Sequence, residues 1–142
     1  GTRVAIATPP PLGEQLEDAP VMDRHVQRSA FRVVSELAAA VWHVATSEGC
    51  DVLPFFECCM QRLRQLQGAG WQPTPWTPRT MFEFQREAVV SQQAQPPRSW
   101  DEVLPEPRRL AFCYDMVHMN EAGSSIYAAL VQAWFDNQLR DM

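Results

Sequence analysis

The chain has 142 residues, 46% hydrophobic and 20% charged, which suits one globular domain with a real core rather than a disordered segment. Its formal net charge of -5 argues against nucleic acid or an anionic membrane surface as the main partner, since both call for a basic face. All 12 basic residues are Arg, which excludes Schiff-base chemistry and a phosphate-loop lysine.

No apolar run approaches the roughly 20 residues needed to cross a bilayer, and no transmembrane segment is expected. The opening residues carry no charged-then-apolar leader, so a signal peptide is expected to be absent or removed. Cys50, Cys58, Cys59 and Cys113 form neither a C-x-x-C pair nor a zinc spacing. They read as free, largely buried thiols in a reducing compartment, and the matching expectation is an intracellular location. A Cys nucleophile paired with His25, His43 or His118 is the alternative, with no local pattern behind it.

In chain order, Arg3-Val4-Ala5-Ile6-Ala7-Thr8 is a short, almost wholly apolar run closed by Pro9-Pro10-Pro11. Apolar on both faces, it predicts a central strand of a parallel sheet, which the prolines end because they cannot donate to a ladder. Val26, Ala30, Val33, Leu37, Val41 and Val44 then recur at steps of three and four, predicting a helix with that stripe toward the core. Asp23 is its candidate N-cap and Gly49 its stop, with Arg24, Arg28, Arg32 and Glu36 on the solvated face. Asp51 to Phe56 is a second short apolar run. Strand, helix and strand predict a βαβ unit with a right-handed crossover, and Pro54 marks the second strand as an edge strand.

A helix is expected from about Glu57 to Gln67. From residue 68 to 112 the sequence turns rich in Pro, Trp and Gln and reads as an insertion. Thr80 to Gln95 is expected to make one helix within it, anchored by Phe82, Phe84 and Val89. Its tryptophans either pack down on the core or form a lid over a substrate site. Asn120 then caps a last helix running to about Leu139, with Ile126, Leu130, Ala133 and Trp134 on one face.

Just ahead of that cap stand Asp115 and His118. A serine hydroxyl is a poor nucleophile without a base of near-neutral pKa within hydrogen-bond reach, and imidazole supplies one. A carboxylate bonded to one ring nitrogen holds the tautomer that leaves the other free to take the serine proton. Three residues of separation in a turn can bring both side chains to one side of the backbone. The competing reading makes Asp115 a turn residue and His118 a residue packed on the helix start. A metal site is disfavoured, since no further His or carboxylate recurs at ligand spacing nearby.

The segment Tyr114-Asp115-Met116-Val117-His118-Met119-Asn120-Glu121-Ala122-Gly123, continuing to Tyr127-Ala128, resembles the final block of the SGNH/GDSL hydrolase family. There an Asp-x-x-His pair is followed by Asn, a Gly and a helix with an aromatic-Ala step. The resemblance implies His118 as general base and Asp115 as its orienting partner. It also implies an acyl or acetyl ester substrate, water as second substrate, and no metal or organic cofactor. The implied fold is a three-layer α/β/α sandwich with a parallel, flavodoxin-like sheet. Val4 to Pro11 matches that fold's fourth strand and loop, residues 23–49 its helix, and Val52 to Phe56 its fifth strand. On this reading residues 1–142 are the carboxyl-terminal part of one such domain, interrupted at 68–112.

Two family features are missing. No Gly-Asp-Ser turn is present to supply the nucleophile, and the oxyanion-hole Gly and Asn are also lacking; Ser29, Ser35, Ser47, Ser91, Ser99, Ser124 and Ser125 all lie in other contexts. Two strands with helices cannot close such a core, and the free edge at Val4 to Thr8 invites aggregation unless paired. The expected partner is therefore an amino-terminal half of the same gene product, or another subunit, that completes the sheet and brings the serine. Two alternatives stand beside this reading. One is a non-catalytic structural or interaction subunit that keeps the fold. The other is a binding module for a sugar or acyl group using Trp71, Trp76 and Trp100.

Overall fold

The computed structural model describes residues 3–16, 30–71, 77–94, 96, 110–113 and 116–140. Six elements follow in order: β1 (Ala5–Ala7), α1 (Ala30–Glu48), β2 (Asp51–Leu53), α2 (Phe55–Gly68), α3 (Pro78–Gln92) and α4 (Glu121–Arg140). Among the described residues the fold is α/β, with a two-stranded parallel sheet and four helices. Ala5 lies opposite Asp51, Ile6 opposite Val52 and Ala7 opposite Leu53. The expected strand-helix-strand unit is therefore present, with both strands shorter than the apolar runs that encode them.

Beyond β1, the sheet is tied to α2 through Thr8. Its backbone N–H donates to the Leu53 carbonyl at 3.0 Å. Its buried hydroxyl donates to Glu57 Oε2 at 2.9 Å and accepts the Phe56 N–H at 2.9 Å. The other carboxylate oxygen of Glu57 accepts the Trp42 indole N–H at 2.8 Å, which links α1 to the same corner. Pro54 ends β2, and α2 starts at Phe55, two residues earlier than the sequence suggests.

Helix α1 ends where expected. Gly49 takes φ 66°, a left-handed conformation natural to glycine, and Cys50 N–H closes back on the Ala45 carbonyl at 2.8 Å. Arg32 and Glu36 pair at 3.0 Å one turn apart on the exposed face. Asp23, Arg24, Val26 and Arg28 lie outside the described residues.

The buried face of α1 meets the predicted stripe at Ala30 but otherwise departs from it. Ala30, Val34, Ala38 and Ala45 are buried, while Val33, Leu37 and Val44 are 46%, 51% and 48% exposed. The inward face is the one that meets α2, where Val34 and Ala38 join the main core, and the opposite branched residues stay out. Helix α1 thus carries two apolar faces, and among the described residues only one is covered.

The core gathers Val34 and Ala38 from α1, Phe55, Phe56, Cys59, Met60 and Leu63 from α2, and Phe112. Ile126 and Leu130 of α4 pack on it, as their spacing predicts, whereas Ala133 is exposed and Trp134 half-buried. The Trp134 indole N–H donates to Asp51 Oδ2 at 2.9 Å, and Arg3 approaches the other oxygen at 3.2 Å. Those contacts, the indole first, hold the Asp51 carboxyl below the usual carboxylate range.

Helix α3 opens on a reciprocal cap: Thr77 Oγ1 accepts the Thr80 N–H at 3.0 Å while Thr77 N–H donates to Thr80 Oγ1 at 2.8 Å. Of its three expected anchors only Phe84 is buried; Phe82 and Val89 face out. Phe84 joins Leu110, Cys113 and Met116 in a second small cluster. Leu110 and Phe112 are thus core residues, although they fall at the end of the span expected to be an insertion. Trp71 packs on the main core, while Trp76 and Trp100 lie outside the described residues. Among the described residues no helix is long and apolar enough to cross a membrane.

Candidate active site

The site is best built from the loop that follows β1. Pro11, Gly13, Glu14 and Gln15 are buried, which is unusual for a connection, since connections mostly run over the surface. Leu12 and Leu16 anchor this loop to the core. Gly13 takes φ 71° and Glu14 φ 49°, so the chain makes two consecutive left-handed residues. For Glu14 this costs on the order of 1 kcal/mol or more, and surrounding contacts must hold it there.

Those contacts come from Glu14's own side chain. Its Oε2 accepts the Ala111 N–H at 2.6 Å, and its Oε1 accepts the N–H groups of Phe112 and Cys113, the latter at 2.8 Å. Three consecutive backbone donors thus converge on one fully buried carboxyl group. Burial pushes its pKa up to about 7, against the three N–H bonds and the Cys113 thiol, which favour the anion. Gly13 N–H donates to the Met116 carbonyl at 3.1 Å, and Cys113 Sγ lies 3.8 Å from the Pro11 carbonyl. The loop after β1 therefore grips the chain on both sides of residues 114 and 115.

The other half of the scaffold is the Asn120-x-x-Gly123 step. Asn120 Oδ1 accepts the Gly123 N–H at 3.0 Å, which makes Asn120 the expected N-cap of α4. Its Nδ2 faces the carbonyls of Leu110, Ala111 and Cys113 at 3.3, 3.3 and 3.4 Å, and its backbone N–H donates to Phe112 O at 2.8 Å. Gly123 lets α4 lie directly on that segment, since a Cβ there would stand 2.5 Å from Phe112 O. Cys113 and Met119 form an antiparallel bridge that closes the turn between them.

His118 sits exposed in this turn, two residues ahead of the cap. Asp115 lies outside the described residues, as does His25. Met116, which follows Asp115, is fully buried at φ 70°. Among the described serines, Ser35 and Ser47 bond back to carbonyls of α1, and Ser124 and Ser125 are exposed in the first turns of α4.

The four cysteines are free. Cys59 and Cys113 are buried, and burial pushes the Cys59 thiol up to about 12. Burial also raises Cys58, with the Glu57 charge adding to it. Neither thiol is prepared as a nucleophile, which needs the thiolate. Among the described residues no three His, Cys, Asp or Glu side chains converge as a metal site would require.

Residue spacing brought out His118, Asn120 and Gly123, but not Glu14. The available signal was a carboxylate directly after glycine, in a loop between two strongly apolar stretches. Comparison of the chain with protein-family models, curated proteins and solved structures finds no match.

Proposed function

We propose that this chain is the carboxyl-terminal part of a serine ester hydrolase of the SGNH/GDSL type. His118 acts as general base and Asp115 orients it, on a domain that is a three-layer α/β/α sandwich when complete. The nucleophilic serine and the oxyanion hole come from an amino-terminal half of the same product or from another subunit. The substrate is an acyl or acetyl ester, attacked by the serine and released by water.

The observation that carries this reading is an exposed imidazole on a turn held from two directions. The loop beyond the carboxyl end of β1 grips one side of the turn, and the Asn120 cap of α4 grips the other. Open parallel sheets gather their reactive groups beyond the carboxyl ends of the strands. A base of this kind also needs a rigid seat, because a displacement of about 1 Å costs on the order of a hundredfold in rate. The need for a partner is supported by what stays uncovered: among the described residues β1 pairs only with β2, and Val4 is 53% exposed, as Val33, Leu37 and Val44 of α1 also are in large part.

That same uncovered surface favours a second reading, a structural subunit that keeps the fold and docks through α1 without chemistry. Replacing His118 separates the two. In the native assembly, His118→Ala is expected to lower ester turnover by about 10⁴-fold or more, as loss of a triad base does. Unchanged turnover with intact assembly would leave the structural reading in possession.

A further inference from the structure

We propose that Glu14 is a positioning residue for the His118 turn, fixing the path of the chain into it by accepting the consecutive amides of Ala111, Phe112 and Cys113. The inference rests on the hydrolase reading only for its consequence in catalysis. The link between Glu14 and the turn stands on geometry alone.

Four features of the site converge. The carboxyl group is fully buried and takes three backbone donors, so removing it strands the buried amides of Phe112 and Cys113. The same loop reaches past the site, through Gly13 N–H to the Met116 carbonyl, so the span containing Asp115 is pinned at both ends. Glu14 holds a left-handed backbone conformation with its side chain locked, and such local conflict with propensity collects at functional sites. Lastly, among the described residues the titratable side chains against Glu14 are the thiols of Cys113 and Cys59. A buried carboxyl group held chiefly by three consecutive backbone amides serves the placement of that backbone.

Glu14→Gln is the sharpest probe, because it keeps the shape. The one remaining oxygen can serve Phe112 and Cys113, while the new amide group points N–H against the Ala111 N–H. Imidazole resonances read the outcome, with His43 on α1 as the remote control. We expect the His118 ring resonances to shift while those of His43 stay, and kcat in the native assembly to fall about 10- to 100-fold with KM unchanged. A folded variant in which His118 matches wild type would overturn the proposal. If the variant does not fold, hydrogen exchange on the wild type decides. Ala111, Phe112 and Cys113 amides protected as well as those of Cys59 and Leu63 in α2 support the clamp; exchange at the rate of an open loop refutes it. Shifted His118 resonances in an assembly without any ester turnover would remove the hydrolase reading and leave the clamp standing.

Discussion

Gly123→Ala tests the seat of the candidate site from the α4 side. A methyl group there meets the Phe112 carbonyl oxygen at 2.5 Å, with the Phe112 carbonyl carbon and Cβ both at 3.3 Å. These are backbone and near-backbone atoms, so no flexible tip can swing away, and the contact must open by on the order of 1 Å. Phe112 is buried, its carbonyl accepts the Asn120 N–H, and its own N–H is held by Glu14, so any shift pulls on all three. Overpacking of this kind costs about 1–3 kcal/mol, and weakening the Asn120 bond adds about 1 kcal/mol. Better helix propensity returns about 1 kcal/mol. The net expectation is a loss of about 1–3 kcal/mol, or a melting temperature lower by about 3–10 °C. Gly68→Ala in α2 is the control: nothing lies within 4 Å of its Cβ position, so it is expected to be neutral or to stabilise by about 0.5 kcal/mol. Thermal denaturation of the three proteins decides the matter. A Gly123→Ala protein that melts at or above wild type would show that α4 does not lie on the Phe112 segment.

Three further outcomes are expected. Glu14 titrates near 4.5 when unfolded and near 7 when folded, so its burial carries no penalty below about pH 4.5, and the penalty grows to about 3 kcal/mol by pH 7 at about 1.4 kcal/mol per pH unit. Urea unfolding at pH 4.5 and pH 8 should therefore show wild type losing stability relative to Glu14→Gln as pH rises; parallel stabilities would contradict the burial of that carboxyl group. Trp134→Phe removes the main contact depressing Asp51, and a carbon-detected titration of that carboxyl should show its pKa rise; an unmoved titration would place the indole elsewhere. In a thiol-reagent assay on folded protein, Cys50 should react first, with Cys59 slowed on the order of a thousandfold by the rise from 9.0 to about 12. Fast labelling of Cys59 would refute its burial.

What could be read from residue order divides along physical lines. Local signals were sufficient where one residue decides: Gly49 stops α1, Asn120 caps α4, and two short apolar runs pair in parallel, though the second ends at Leu53 and its Phe55 and Phe56 open α2. The inward face of α1 was misread because hydrophobicity alone ranks Val33 and Leu37 above Ala38 and Ala45. The face that packs is instead set by contact with α2 through Val34 and Ala38, which no spacing within α1 encodes. Phe82 and Val89 failed as anchors for a related reason: α3 rests on the 110–116 segment through Phe84, a contact that no spacing within the helix encodes. The three N–H bonds to Glu14 span 97 to 99 residues of chain. Such pairing leaves no periodicity for a local pattern to detect. Asp115 lies outside the described residues, so its role rests on the resemblance of its block.

The account stands or falls on whether a serine faces His118. Fluorophosphonate labelling of the native assembly, followed by peptide mapping, reads this directly. The expected result is one labelled serine on the segment or subunit that completes the sheet, with labelling abolished by His118→Ala. No labelled serine anywhere in an intact assembly, or labelling indifferent to His118, would contradict the hydrolase reading.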